Sequence, residues 1–386
     1  MLNDTLIKVF DEYEYLYNVM VPLSLPFKHV VFLHRSDLKM DNKIVKCATE
    51  LLREHGRTVN FLEVSRDTDN IAELLKDSTD ATVDIGGSHR YLSFYLFEKI
   101  ISQNRPIIYY DMVENVIKNY RTHSTITKDL YRFSIKEMIS LSGALYLENM
   151  HETPDMEDEE LVNSITNVIE ESLDDYPAFT RYIGSLAQIL PPLEFNHVDL
   201  TFDKIDLIKR QPYYGRLERN HIIEIKGNRL TILKPLYRHL LKNIGSWLES
   251  YLYIVMQKSG LFDDVKMSAV IDYHERGGIN PISCEIDVVG IQNNRLVLIS
   301  CKSNKVETND LHEIKVHNLS FGNFLSKAVI CTIDDLNVKN PIVFRKAKEY
   351  DIAVIDKTAF IKHQIPDILN KILIDRYHYE VVPSRR

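Results

Sequence analysis

The feature that most constrains this chain is a repeated alternation in the first third of its sequence. Strand-like apolar runs at 5–10, 29–34, 58–64, 81–85 and 107–111 are separated by helix-like stretches at 42–55, 69–77 and 91–102. The runs are short and rich in Val, Ile, Leu and Phe, as strands buried on both faces are. Strands that recur with helices between them join through crossovers. The product is a mostly parallel sheet with helices on both faces.

The alternation stops near 130. From there to about 243 the chain reads as mixed helices, an acidic run (Glu152, Asp155, Glu157, Asp158, Glu159, Glu160), Pro191-Pro192, and a hairpin at 221–225 and 230–233 turning at Gly227-Asn228. A third pattern begins at Gly245: a helix at 246–257, strands at 265–273, 284–291 and 295–301, a helix at 309–320, a strand at 327–332, a helix at 341–350 and a strand at 352–355. A chain of 386 residues exceeds a comfortable single core. The fold class expected is α/β throughout, with an α/β domain at 1–140, a helical connector with a hairpin at 141–240 and a second α/β domain at 241–386.

Charge and apolar runs exclude some functions. The net charge of -8 argues against a coat of basic surface for non-specific nucleic-acid binding, though not against a local basic groove. Lys302, Lys305, Lys315, Lys327, Lys339, Arg345, Lys346 and Lys348 gather in the last third, which suggests a basic working domain tied to a neutral or acidic one. No apolar run approaches the roughly 18 residues of a membrane span, and Met1 to Phe10 carries Asp4 and Lys8 without a small-residue cleavage site. A cytoplasmic protein away from membranes is expected. Cys47, Cys284, Cys301 and Cys331 have no metal-ligand spacing and read as buried, reduced thiols.

The stretch from Cys284 to Lys302 holds the densest chemistry. Two strands joined by Gln292-Asn293-Asn294 put Glu285 and Asp287 on one face of the first, and Ser300 and Lys302 on one face of the second. Ile286, Val288, Ile299 and Cys301 fill the other faces. Clustered charges in a sheet are costly unless they pair or bind metal. A carboxylate holding Mg²⁺ or Mn²⁺ beside a lysine that positions water is a candidate catalytic site. The competing reading is a cross-strand Asp287–Lys302 ion pair. His274 and His317 could reach such a site, but single histidines are more often surface residues than ligands.

A second constellation follows the fourth strand. Asp84-Ile85-Gly86-Gly87-Ser88-His89-Arg90 turns from strand to helix, and paired glycines there let backbone N–H groups approach an anion at a helix N-terminus. A tight turn with no ligand is the plain alternative.

Asp287, the hairpin, then Ser300-Cys301-Lys302 resembles the PD-(D/E)xK nucleases. Gly245-Ser246-Trp247-Leu248-Glu249-Ser250-Tyr251 is similar to their upstream helix, in which Glu249 would be the further acid. Ser300 departs from that pattern, standing where the family has Glu or Asp. The amino-terminal half, taken with this domain, resembles the CRISPR-associated Rossmann-fold (CARF) domain, whose fourth strand ends in a Gly-Gly-Thr-Lys-like turn and whose dimer binds cyclic oligoadenylate. Gly86 and Gly87 match that turn, Ser88 matches the hydroxyl, His89 replaces the lysine, Arg90 offers charge, and Ile85 stands where threonine is common. Asp11-Glu12 and Arg35-Ser36, after the first two strands, would line the same crevice.

The resemblance implies a Rossmann-like sensor ahead of a restriction-endonuclease-like domain: a nuclease of type III CRISPR antiviral defence, switched on by cyclic oligoadenylate, with cyclic tetra-adenylate the expected ring. Asp287 and Glu249 would bind Mg²⁺ or Mn²⁺, Glu285 assisting, and Lys302 would orient water against DNA or RNA. A symmetric ring is most simply held by a homodimer. Ser300 keeps open a weakened or inactive sensor that binds nucleic acid without cutting it. A third reading has Ser88 and His89 cleaving the cyclic ligand.

Overall fold

The computed structural model describes residues 3–40, 42–65, 70–87, 90–147, 153–190, 197–273, 283–323 and 325–374. Ser88, His89 and His274 lie outside the described residues. The chain divides into two compact units, residues 1–145 with 321–324 and residues 146–320 with 325–386.

The first unit is built on β1 (Thr5–Val9), β2 (His29–Arg35), β3 (Thr58–Val64), β4 (Thr82–Asp84), β5 (Ile107–Asp111), β6 (Val116–Asn119) and β7 (Thr125–Thr127), in the order β3-β2-β1-β4-β5-β6-β7. β1 to β5 pair in parallel, as the alternation requires. β6 and β7 extend the sheet antiparallel. The helices are α1 (Tyr15–Ser24), α2 (Lys43–Glu54), α3 (Ile71–Leu74), α4 (Arg90–Ile100) and α5 (Ile135–Leu141). α2 begins where Asn42 accepts the Ile44 N–H, and α5 opens with a capping box between Ser134 and Glu137.

Strand order reverses between β1 and β4, and in such sheets ligands enter outside the carboxyl ends of the strands at that point. Beneath it, Lys8 and Asp84 face each other in register and pair at 2.6 Å, both with fully buried side chains. Lys8 Nζ also donates to the Tyr17 carbonyl of α1.

The second unit holds β8 (Leu145–Leu147) from Tyr146 on, α6 (Glu159–Ser172), α7 (Tyr176–Ile189), β9 (His197–Asp199), α8 (Phe202–Lys209), α9 (Tyr214–Arg219), β10 (Ile223–Lys226), β11 (Arg229–Ile232), α10 (Pro235–Lys242) and α11 (Ser246–Ser259). Then follow β12 (Asp264–Asp272), β13 (Ser283–Gln292), β14 (Arg295–Lys302), α12 (Thr308–Phe321), β15 (Lys327–Thr332), α13 (Leu336–Lys339), α14 (Pro341–Glu349), β16 (Ile352–Ile355), α15 (Lys357–Ile361) and α16 (Ile365–Ile374). The expected hairpin is β10–β11, turned by Gly227 at φ 57° and joined by β9. A six-stranded sheet runs β16-β15-β14-β13-β12-β8.

One apolar core runs from Leu161 through Trp247 and Ile299 to Leu373, so α6 to α10 pack into the same core as the carboxyl-terminal sheet. Trp247 is fully buried, edge-on to Phe179 with ring centroids 5.6 Å apart. Not all four thiols are buried, contrary to what their sequence surroundings suggest. Cys301 and Cys331 are buried, but Cys47 and Cys284 are only half-buried, one on the helix α2 and the other near the open end of β13.

Candidate active site and ligand turn

The hairpin β13–β14 turns through Asn293 (φ 48°) and Asn294 (φ 64°), a two-residue turn that needs positive φ at both positions, which asparagine tolerates. Its ladder runs from Gln292↔Arg295 to Val288↔Ile299. Beyond that point β14 continues beside β15, while Glu285 on β13 pairs with Val270 on β12. Asp287 is the first residue past the shared ladder. Its Oδ2 accepts the Cys301 backbone N–H at 2.6 Å and the Ser300 hydroxyl at 3.3 Å. Ile286, Val288, Ile299 and Cys301 are buried, as the alternation predicted.

α11 brings Glu249 to the same place. Gly245 leaves room for it, since a Cβ there would lie 3.0 Å from Glu249 Oε1. Burial, then the neighbouring charges of Asp287 and Glu285, push the Glu249 carboxyl up to about 8. Burial likewise raises Asp287 to about 6, although the Cys301 N–H and Lys302 pull it down. Glu285 is exposed on the outer part of β13.

Lys302 pairs with Asp310 at 3.2 Å, so its direct partner is Asp310 and the cross-strand pair with Asp287 is not what the lysine makes. Burial works against its charge, yet Asp310 outweighs this and holds it above the ordinary lysine value. The ammonium is therefore a fixed cation and a hydrogen-bond donor, not a base. Asp310, set at the start of α12, was not singled out from sequence; an acid in the first turn of the helix after the Lys302 strand is the signal. His317 is buried, and burial lowers its pKa, so it stands neutral and not at the surface as its sequence suggested.

These donors fit a hard divalent cation. Two half-buried carboxylates lie together, and each is pushed toward protonation by burial first and by its acidic neighbours second, with Lys302 opposing. Among the described residues no three His, Cys, Asp or Glu side chains gather to hold a metal. Mg²⁺ is commonly held by one or two carboxylates with water and phosphate completing its shell.

At the amino-terminal turn, Asp84 Oδ1 accepts the Gly86 N–H at 2.8 Å while Oδ2 holds Lys8. Gly87 has φ 138°, and a Cβ there would lie 3.2 Å from Asp11 Oδ2. Asp11 is buried, and its Oδ1 accepts the Tyr13 and Glu14 N–H groups leading into α1. Topology thus brings together the loop holding Asp11 and Glu12 and the loop holding Gly86 and Gly87. Arg90 opens α4. Arg35 and Ser36 are exposed at the end of β2, where Arg35 pairs with Asp37 at 2.6 Å. Nothing in the sequence pairs Lys8 with Asp84; a lysine inside the apolar run Thr5-Leu6-Ile7-Lys8-Val9-Phe10 is the available signal.

Residues 237–373 match the family model described as the Card1-like endonuclease domain. No curated protein matches the chain. Among solved structures, protein VC1899 from Vibrio cholerae is similar with a TM-score of 0.76 and 15% identity, covering 95% of this chain and 98% of its own. Can2 from Sulfobacillus thermosulfidooxidans, solved in complex with cyclic tetra-adenylate, is similar with a TM-score of 0.72 and 15% identity, covering 96% and 99%. At that identity the likeness establishes the shared α/β fold. An endonuclease-type domain behind a Rossmann-like one agrees with the resemblance drawn from the motifs.

Proposed function

We propose that this protein is a cyclic-oligoadenylate-activated, Mg²⁺- or Mn²⁺-dependent endonuclease of type III CRISPR antiviral defence, acting on DNA or RNA as a homodimer. The carrying observation is the Asp287 carboxylate, held at the point where β13 and β14 part, beside Glu249 and Lys302. Support comes from the endonuclease-domain match and from likeness to a structure that binds cyclic tetra-adenylate, the expected activator.

Asp287 and Glu249 would hold the cation, with Glu285 at the margin. A divalent cation there supplies charge neutralisation at phosphoryl oxygen and lowers the pKa of bound water. Lys302, charged throughout the physiological range, donates to the attacking water or to the developing phosphoryl charge. The Cys301 N–H fixes the Asp287 carboxylate, and Ser300 adds a neutral hydroxyl. Activator would bind across the turns carrying Asp11, Glu12, Gly86, Gly87, Ser88, His89 and Arg90, with Arg35 and Ser36 at the edge.

Ser300 favours a second reading, a sensor that binds nucleic acid but cuts little. Incubating the protein with Mn²⁺, plasmid and single-stranded RNA, with and without cyclic tetra-adenylate, separates the two. Activator-dependent loss of either substrate supports the nuclease. Intact substrates together with activator binding support the sensor.

A further inference from the structure

The connector helix α7 lies against the catalytic strand's end. The Tyr176 hydroxyl at its start sits 3.4 Å from Ser303 Oγ, just past Lys302, and Gly184 leaves room for Ile244, since a Cβ there would lie 3.2 Å from Ile244 Cδ1. Between this helix and the 302–307 segment is an open cleft of about 510 Å³, lined by Thr180, Arg181 and Gly184 on one element and by Lys302, Asn304 and Lys305 on another. Arg181 and Lys305 are exposed, and among the described residues neither side chain has an ion-pair partner.

The charges lining the cleft do not cancel. Lys302 and Asp310 neutralise each other, and Glu307 alone stands against Arg181 and Lys305. Among the described residues no aromatic side chain lines the cleft, so stacking of bases, the usual grip on unpaired bases, has no platform there. Hydrogen-bonding and cationic groups alone suit the phosphodiester backbone, which positions a strand without reading its sequence.

Resting on the nuclease reading of this site, we infer that α7 forms a wall of the substrate cleft and that Arg181, with Lys305, holds phosphates flanking the scissile bond. Arg181 is a binding and positioning residue whose guanidinium meets phosphate in bidentate fashion. Substrate choice follows backbone geometry and not base sequence.

The test uses the full chain with cyclic tetra-adenylate. Binding of fluorescein-labelled single-stranded DNA, single-stranded RNA and duplex DNA is followed by anisotropy in Ca²⁺ across a salt series, and cleavage kinetics are read in Mn²⁺. Arg181→Glu and Lys305→Glu should each make the slope of log affinity against log salt shallower by about 1. KM should rise several-fold while kcat changes little, and Arg181→Lys should restore part of the affinity. Unchanged melting and activator affinity exclude misfolding. Variants that bind and cut like the parent, with the same salt slope, overturn this inference and leave the nuclease reading standing. A parent that binds without cutting, and loses binding in the variants, upholds the inference while the nuclease reading fails. A parent that neither binds nor cuts overturns both.

Discussion

Replacing Ser300 by glutamate tests the site at its weakest ligand position. Ser300 Oγ lies 3.3 Å from Asp287 Oδ2 and contributes no charge. A carboxylate at this position would join Asp287 and Glu249, both already raised by burial and by neighbouring carboxylates. Two carboxylates about 4 Å apart at an effective dielectric near 20 repel by about 4 kcal/mol. Without metal, the variant should be less stable than the parent at alkaline pH. If metal binding recovers only about a third of that repulsion, its affinity rises about tenfold, because each 1.4 kcal/mol is a factor of ten. Activator-stimulated cleavage in Mg²⁺ or Mn²⁺ should therefore exceed that of the parent, with half-saturation at lower metal, and Asp287→Ala added to it should remove the gain. The assay is plasmid and RNA cleavage over a metal titration, beside calorimetry of Mn²⁺ binding. Cleavage that stays at background while melting in metal and activator affinity are preserved would refute the nuclease reasoning and leave the sensor ahead.

The raised Glu249 carboxyl, near 8 against an unfolded value of about 4.3, favours the fold at low pH, and that stability is lost as pH rises through 8. Metal-free protein should melt at higher temperature at pH 6 than at pH 9, and either Glu249→Gln or saturating Mn²⁺ should flatten the trend; scanning calorimetry in EDTA and in Mn²⁺ reads it, and a slope unaffected by both would count against the cluster. Gly87→Val should abolish cyclic-nucleotide binding, because it forces a β-branched residue to φ 138° with its Cβ 3.2 Å from Asp11 Oδ2, at a cost of about 1–3 kcal/mol; titration calorimetry with unchanged affinity removes the turn from the site. Lys8→Ala strands a buried Asp84 carboxylate and should cost about 3–5 kcal/mol of the amino-terminal unit's stability, measured by denaturant unfolding. A loss under about 1 kcal/mol would mean that Asp84 finds another partner or a proton.

Legibility in the sequence followed the strength of local pattern. The runs at 58–64, 107–111, 327–332 and 352–355 are strands with the bounds the sequence suggested, because each is a β-branched or aromatic run with breakers or helix at its ends. α1 escaped notice. It is apolar nearly all round, with Tyr15, Leu16, Val19, Met20 and Val21 buried, and it contains Pro22, so neither amphipathic periodicity nor composition marks it as a helix. β6 and β7 are too short to carry an alternating signal, and the antiparallel pairing of β6 with β5, on which β7 then builds, depends on a reversal at Asn115, φ 53°. At the candidate site, period-two alternation was enough to bring Asp287, Ser300 and Lys302 together. It did not reveal Asp310, Arg181 or the Cys301 N–H, whose roles depend on which elements pack beside the hairpin.

The Lys8–Asp84 pair also orders events during synthesis. Its members are 76 residues apart in sequence, so a ribosome adding roughly 5–20 residues per second leaves Lys8 without its counter-charge for about 4–15 s. Burying the ammonium alone during that interval is strongly unfavourable. β1 should therefore stay open to water until β4 arrives and supplies the carboxylate. On this argument the central sheet should close around both together, and a nascent chain halted before Asp84 should leave β1 accessible to solvent.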